Sequence, residues 1–223
     1  MSYNHIIGVN LMKEIIMTFR ELIEILELDK IAPIHFQKLE DISKNNYVFF
    51  RYLGNEEKKA LINGTHDENK RYDNSDLGVY LPDIDIKQCY IIETKCNPFS
   101  ISYVNEQISY KMGCVWTKEL YLVWSLYCAL HEVGHWLDFV NSGKTSYEFS
   151  IMEKGYREEI DREAEMLYNM NDYFPQKRIL AEEYVRKYYE IPSEKAANDY
   201  AFSNFVPALN KVREKLGYTT DDL

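Results

Sequence analysis

Apolar residues recur at helical spacing near the beginning of the chain. Residues 11–28, LMKEIIMTFRELIEILEL, place apolar side chains three or four positions apart, which predicts an amphipathic helix. Residues 34–53 are typical of another short helix followed by the extended segment YVFFRYL. Residues 62–79 are rich in Asn, Asp and Gly and predict a loop. A leading helix and a long loop are therefore expected in the first part of the chain.

Three short segments after this loop have the composition of β-strands. VYLP, CYIIET and SISYV are rich in β-branched and aromatic residues and are punctuated by Pro and Asn. From about Thr117 onward, the pattern is helical almost to the end of the chain. The strands are therefore expected to precede a long helical part.

The order of these segments predicts an α+β fold. A leading helix and a small sheet would occupy residues 1–116, and a predominantly helical half would occupy residues 117–216. No internal repeat or low-complexity linker divides the chain, and 223 residues are enough for one domain with a substantial core. We therefore expect residues 1–223 to form a single domain.

The most apolar of the predicted helices begins the helical half. Thr117 can cap its start, Glu119 suits its first turn, and the apolar run continues to Val140. Gly143 follows as a plausible stop. Because the helix is apolar on nearly all sides, we expect it to be buried.

This apolar helix contains the motif HEVGH. His131 and His135 are about one helical turn apart, so they project from the same face, where two neutral imidazoles can bind Zn²⁺. Glu132 points about 100° away from His131. It is poorly placed as a third ligand, but it can act as general base for a water on the metal. A buried core helix is the alternative interpretation, but a glutamate is an unwelcome residue there.

Two segments compete to supply the third ligand that a catalytic zinc site requires. The remaining three histidines lie upstream in weakly patterned segments, so a later carboxylate is the more natural choice. Residues 157–167, REEIDREAEML, offer Glu159, Asp161 and Glu163, although such an acidic cluster is usually a solvated face. The second segment is residues 188–205, YYEIPSEKAANDYAFSNF.

The second segment contains the features of a helix that could pack against the motif. Pro192 ends the preceding helix, Ser193 can cap a new one, and Glu194 falls in its first turn. Ala197 lies on nearly the same helix face as Glu194. Because Ala197 and the glycine within HEVGH are both small, the two helices could approach each other closely. Asn198, four residues after Glu194, could orient a ligand imidazole through its outer nitrogen.

Charge and cysteine content exclude several classes of protein. The net charge is −10 and there is no basic stripe, which argues against nucleic acid and against anionic membrane surfaces as partners. The four cysteines include no C-x-x-C pair, and no secretory signal or membrane-spanning run is visible. We therefore expect a cytoplasmic protein with reduced thiols.

The two motifs together resemble a known group of enzymes. HEVGH is similar to the zinc-binding helix of the gluzincin metallopeptidases. EKAANDYA, residues 194–201, resembles the E-x-x-A-N-x-[FY]-A pattern of small phage and mobile-element zinc peptidases of the ImmA/IrrE type, and the preceding YYEIP is similar to their lead-in. HEVGHWLDF is also similar, at a lower rank, to toxin-like peptidases related to lethal factor.

This resemblance covers roughly residues 117–205 and implies a zincin-like fold. It implies that His131, His135 and Glu194 are metal ligands and that Glu132 is the general base. His135 and Glu194 are 59 positions apart, which is wider than the compact family pattern.

The wide spacing keeps two other carboxylates as alternative third ligands. Asp161 and Glu163 lie between the motifs. Asp161 stands three residues before Ala164, as in a shortened version of the second motif.

The function expected from these features is zinc-dependent hydrolysis of peptide bonds in a protein or peptide substrate. SISYV could bind that substrate as an edge strand. An oxyanion donor would be a tyrosine or a histidine, and Tyr147, Tyr156 and Tyr184 are candidates because they lie in the helical half. The alternative is a zincin-like module that binds a regulatory protein and cleaves little. The presence of Glu132 favours catalysis, because binding alone needs no base.

Overall fold

The computed structural model describes residues 15–38, 40, 48–96, 98–112, 119–170 and 175–217. Within these ranges the chain forms eight helices, one short 3₁₀ turn and one three-stranded sheet. The helices and the turn are α1 (Phe19–Leu26), the 3₁₀ turn (Leu28–Lys30), α2 (Asn55–Ile62), α3 (Ile86–Cys96), α4 (Pro98–Met112), α5 (Leu120–Asn141), α6 (Ser146–Asn169), α7 (Pro175–Tyr189) and α8 (Pro192–Leu216). The strands are β1 (Ile34–Gln37), β2 (Phe49–Arg51) and β3 (Gly78–Pro82). Helices predominate beside one small sheet, in agreement with the predicted α+β class.

The first helix begins later than the pattern predicts. Thr18 accepts the N–H of Glu21 at 3.2 Å, and the Glu21 carboxylate accepts the N–H of Thr18 at 2.7 Å. This reciprocal capping box starts α1 at Phe19. The predicted helix is therefore confirmed for residues 19–26 and wrong for residues 15–18 and 27–28, while residues 11–14 lie outside the described part of the chain.

The sheet has the order β1-β3-β2. β1 runs parallel to β3 and β2 runs antiparallel to it. The strand predictions are confirmed for VYLP and for the extended part of YVFFRYL. β1 is a strand in a segment where a short helix was expected. β2 is hydrogen-bonded on one side alone among the described residues, so its other edge is unpaired there.

Two of the predicted strands are helices. CYIIET lies within α3 and SISYV lies within α4. Asp85 caps α3 by accepting the N–H groups of Lys87 and Gln88 at 2.9 and 3.1 Å. In α4, Ile101 and Val104 are buried three positions apart, which is helical spacing. The expectation that SISYV is an edge strand is therefore wrong.

α5 lies at the centre of the core and is buried along most of its length. It begins at Leu120, directly after Glu119, whose backbone is left-handed with φ of 54°. Glu119 therefore precedes the first turn, and the predicted cap Thr117 lies outside the described residues. The predicted stop is confirmed, because Gly143 follows the helix with φ of 63°.

α5 and α8 pack with their backbones in close contact. A Cβ added to Gly134 would lie 2.7 Å from Cα and 2.8 Å from the carbonyl oxygen of Ala197. Ala197 and Ala201 on the facing side of α8 are fully buried. The predicted close approach of these two helices is confirmed, and it places the beginning of α8 beside the motif HEVGH.

The beginning of α8 differs from the prediction at one residue. Pro192 is the first helical residue and Ile191 is the cap position, without a side-chain cap. Ser193, which was expected to cap the helix, donates its hydroxyl to Glu153 of α6 at 2.9 Å. Glu194 lies in the first turn, as predicted.

Two further features of the described residues bear on the sequence analysis. Cys89, Cys96 and Cys128 form no disulfide there, and Cys114 falls in a stretch that is not described. None of the helices in the described ranges is long and apolar enough to cross a membrane.

Candidate metal centre

Three side chains from α5 and α8 converge in the core. His131 Nε2 lies 3.1 Å from His135 Nε2 and 3.2 Å from Glu194 Oε2. His135 Nε2 lies 3.4 Å from the same carboxylate oxygen. All three residues are buried, and Glu194 is 1% exposed. These residues form a group that could hold a metal ion.

The spacing of these donor atoms fits a tetrahedral metal site. Two ligand atoms at about 2.0 Å from a tetrahedral zinc ion are about 3.3 Å apart. The three separations of 3.1, 3.2 and 3.4 Å are close to that value. Two imidazole nitrogens and one carboxylate oxygen also form a donor set found in catalytic zinc sites, which leave a fourth position open.

The outer nitrogen of His131 is held by a hydrogen bond to α8. Asn198 Oδ1 lies 3.1 Å from His131 Nδ1 and also accepts the hydroxyl of Tyr127. Because an amide oxygen can only accept, Nδ1 of His131 must be the donor. In the neutral ring Nε2 then carries the lone pair, and this is the nitrogen that faces Glu194 and His135.

Arg157 of α6 reaches the other oxygen of Glu194. Its Nη2 donates to Glu194 Oε1 at 2.6 Å, and its Nη1 donates to the hydroxyl of Tyr188 at 3.2 Å. Its Nε lies 3.4 Å from Glu153 Oε2, which also accepts the Ser193 hydroxyl. Sequence reasoning missed this arginine, although it opens the very segment that was searched for a carboxylate ligand.

The charges of this group keep Glu194 ionised, but they also favour a proton on His135, which must leave before that ring can bind a metal. Burial alone would raise the pKa of Glu194, but His135 and His131 hold that pKa well below its ordinary value. The carboxylate is therefore ionised and can serve as a ligand at neutral pH. Burial lowers the pKa of His135, but the carboxylate of Glu194 outweighs this effect and raises it above the ordinary value.

Glu132 lies beside the three-residue group without joining it. Its side chain borders both cavities that meet at His131 and Glu194. Burial raises the pKa of the Glu132 carboxyl, although His135 and His131 act in the opposite direction. A raised pKa brings a carboxylate closer to the range in which it can accept and release a proton during a reaction.

Two cavities of about 370 Å³ each meet at the candidate site, and His131, Glu132 and Glu194 border both. The first, here called the β2 cavity, is bordered by residues of and next to β2, by Phe149 and by Arg157. The second, here called the tyrosine cavity, lies between α4, α5 and α7 and is bordered by Tyr127, Tyr184 and Tyr189. Tyr188 borders both.

The alternative carboxylates of α6 do not take part in the group. Asp161 and Glu159 are exposed, and Glu163 pairs with Lys187 at 2.7 Å. The group of possible ligands that the described residues form contains Glu194 and none of these three.

The three tyrosines considered as oxyanion donors are placed differently. Tyr184 borders the tyrosine cavity, whereas Tyr156 is 41% exposed and borders neither site cavity. The ring of Tyr147 lies against His66 with centroids 4.3 Å apart and the planes tilted by 31°, beside a separate cavity of about 770 Å³ that neither site histidine borders. Tyr188, which borders both site cavities, was not considered, because nothing in its local sequence distinguishes it from its neighbours.

Comparison of the chain with protein-family profiles, with curated proteins and with solved structures gives no match in any of the three. The assignment of a function therefore depends on the residues of the site.

Proposed function

We propose that the protein is a zinc-dependent metallopeptidase with a zincin-like fold. The observation that carries the proposal is the buried convergence of His131, His135 and Glu194, with Glu132 bordering the same cavities. When bound by these three side chains, zinc would polarise a peptide carbonyl and lower the pKa of water towards 7. Two nitrogen donors and one oxygen donor suit zinc better than Mg²⁺ or Ca²⁺, which prefer oxygen ligands.

Three side chains around the site have separate proposed roles in the reaction. The carboxylate of Glu132 accepts the proton of the attacking water and passes it to the nitrogen of the leaving amine. Asn198 keeps the proton on Nδ1 of His131, so that Nε2 of His131 has a free lone pair for binding a metal. The hydroxyl of Tyr188 is the proposed donor to the negative charge that develops on the carbonyl oxygen.

The two cavities support cleavage within a polypeptide. A polypeptide bound at the site has two cavities of about 370 Å³ each to occupy, both bordered by Glu132. In this proposal an extended substrate pairs with the edge of β2 that has no partner among the described residues, because Val48 and Tyr52 next to this strand border the β2 cavity. β2, rather than SISYV, is therefore the strand that pairs with the substrate in this proposal.

The first test measures metal and activity together. Protein purified without added zinc is expected to contain about one zinc ion per chain. Glu132→Gln is expected to keep the zinc and to lose at least about 100-fold in cleavage of a mixed peptide library followed by mass spectrometry. Glu159→Gln, an exposed change on α6, is the matched control and should cleave like the wild type.

Three results of this test would count against the proposal. A metal-free protein of unchanged thermal stability would exclude a zinc site, and a fully active Glu132→Gln variant would exclude Glu132 as the base. If zinc is bound but the wild type leaves every peptide intact, the chain is better described as a binding module for a regulatory protein.

A second test identifies the third ligand. Glu194→Ala is expected to lose bound zinc, because the mutation removes one of three donors in a buried group. Asp161→Ala and Glu163→Ala are expected to keep one zinc per chain, since neither carboxylate faces the histidines. Metal content by mass spectrometry after gel filtration decides between them, and zinc loss in either α6 variant alone would contradict the assignment of Glu194.

A further inference from the structure

Arg157 is the common partner of three groups beside the candidate metal centre. Its guanidinium contacts Glu194 at 2.6 Å, Tyr188 at 3.2 Å and Glu153 at 3.4 Å. The side chain is 27% exposed, so it lies mostly within the protein. A planar guanidinium with several N–H donors can hold such groups in fixed directions, which an ammonium group cannot do.

The two oxygens of Glu194 are divided between different partners. Oε1 accepts from Arg157, whereas Oε2 faces the Nε2 atoms of His131 and His135 at 3.2 and 3.4 Å. Rotation of the carboxylate would break a short, charge-assisted hydrogen bond. Arg157 therefore leaves Oε2 as the oxygen directed at the histidines.

Arg157 also contacts Glu153, which is unusual because a glutamate is seldom fully buried. Glu153 is 2% exposed, and its Oε1 has no hydrogen-bond partner among the described residues. A buried carboxylate with one oxygen unpaired costs stability, and an apolar side chain of similar size would pack there at lower cost. Its Oε2 holds Arg157 and also Ser193, the residue directly before Glu194. Glu153 thus ties α6 to the first turn of α8.

We propose that Arg157, held by Glu153, is a positioning residue of the metal centre. It fixes Glu194 so that a single carboxylate oxygen faces the Nε2 atoms of the two histidines that would hold a metal with it, and it directs the hydroxyl of Tyr188. This inference rests on the metal binding in the proposed function. Its consequence is that metal affinity and coordination depend on a side chain that does not itself bind the metal.

The test compares Arg157 with another arginine of the same helix. Arg157→Gln is expected to weaken zinc binding by about 10- to 100-fold in a chelator competition, which is the usual effect of losing a partner of a metal ligand. Arg162→Gln is the matched control, because Arg162 is exposed and contacts the backbone of its own helix at Glu158. It should bind zinc like the wild type.

A second measurement separates positioning from general stability. Protein loaded with Co²⁺ absorbs in the visible range with an intensity that depends on the number of ligands. In Arg157→Gln both oxygens of Glu194 are free to bind, so we expect weaker absorption from a higher coordination number. A purely structural role for Arg157 would lower the melting temperature and leave this spectrum unchanged.

Arg157→Lys keeps the positive charge and serves if the glutamine variant does not fold. An ammonium group cannot bridge Glu194, Tyr188 and Glu153 together, so an affinity below that of the wild type together with an altered Co²⁺ spectrum supports the proposal. Wild-type affinity with a wild-type spectrum in either variant overturns it. If the wild type itself binds neither ion, the proposed function fails first, so the two failures are distinguishable.

Discussion

A single amide oxygen determines which nitrogen of His131 faces the candidate metal centre. Asn198 Oδ1 receives hydrogen bonds from His131 and from Tyr127. The hydrogen bond removes the alternative tautomer, in which Nδ1 would carry the lone pair and Nε2 the proton. Asn198 therefore contributes to the site without contacting the position of a metal ion.

We expect Asn198→Ala to weaken zinc binding by about 10- to 100-fold, because His131 is then free to rotate and to change tautomer. Chelator competition measures the affinity. Asn204→Ala is the matched control on α8, since Asn204 donates to the backbone of its own helix at Tyr200. Equal zinc affinity in the two variants would show that Asn198 has no part in orienting the imidazole.

The residues of the site differ in how far the sequence could predict them. The spacing of His131, Glu132 and His135 is set by one helical turn, so a local pattern is sufficient. Arg157 depends on a tertiary contact with Glu194, 37 positions away. Its sequence neighbourhood is a run of acidic residues and signals only a solvated face. Contacts between distant helices leave no such local signal, which is why the arginine was missed.

At the scale of elements, the residue composition of α3 and α4 favours strands, whereas the spacing of their buried residues is helical. β-branched and aromatic residues suggested strands in CYIIET and SISYV, but the buried positions Ile101, Val104 and Ile108 follow a helical period. Burial of that face against the core outweighs the intrinsic preference of the residues. By contrast, α5 was predictable in type because its apolar run is too long for a strand.

The contact between α5 and α8 requires a glycine at position 134. We expect Gly134→Ala to destabilise the protein by about 1–3 kcal/mol, since the new methyl group would overlap the backbone of Ala197. Displacement of α8 should also weaken zinc binding, because Glu194 lies one turn before Ala197. Urea denaturation measures the stability.

Gly155→Ala is the matched control for this prediction. Gly155 is a helical glycine in α6, and a Cβ there would meet no atom within 4 Å. Alanine is better than glycine in a helix, so this variant should gain up to about 1 kcal/mol. If Gly134→Ala were equally stabilised, the close approach of the helices would not limit the size of this residue.

At the scale of the whole molecule, the candidate centre joins parts of the chain that are far apart in sequence. Its ligands come from α5 and α8, with α6 and α7 between them. α6 also contributes, because Arg157 and Glu153 contact the first turn of α8. The long segment that separates HEVGH from Glu194 in the sequence thus helps to support the site. A bound metal ion would tie α5 to α8 in the folded state alone.

This arrangement predicts that zinc stabilises the fold through binding to the native state. The gain is about 4 kcal/mol when free zinc is 1,000 times its Kd. For a chain of this size, each kcal/mol shifts the melting temperature by about 2–4 °C, so we expect a rise on the order of 8–16 °C that a chelator reverses. His131→Gln should lose this shift. His66→Gln should keep it, because His66 pairs with Glu57 at 3.1 Å away from the candidate centre. A zinc-dependent shift that survives in His131→Gln would place the stabilising ion elsewhere in the protein.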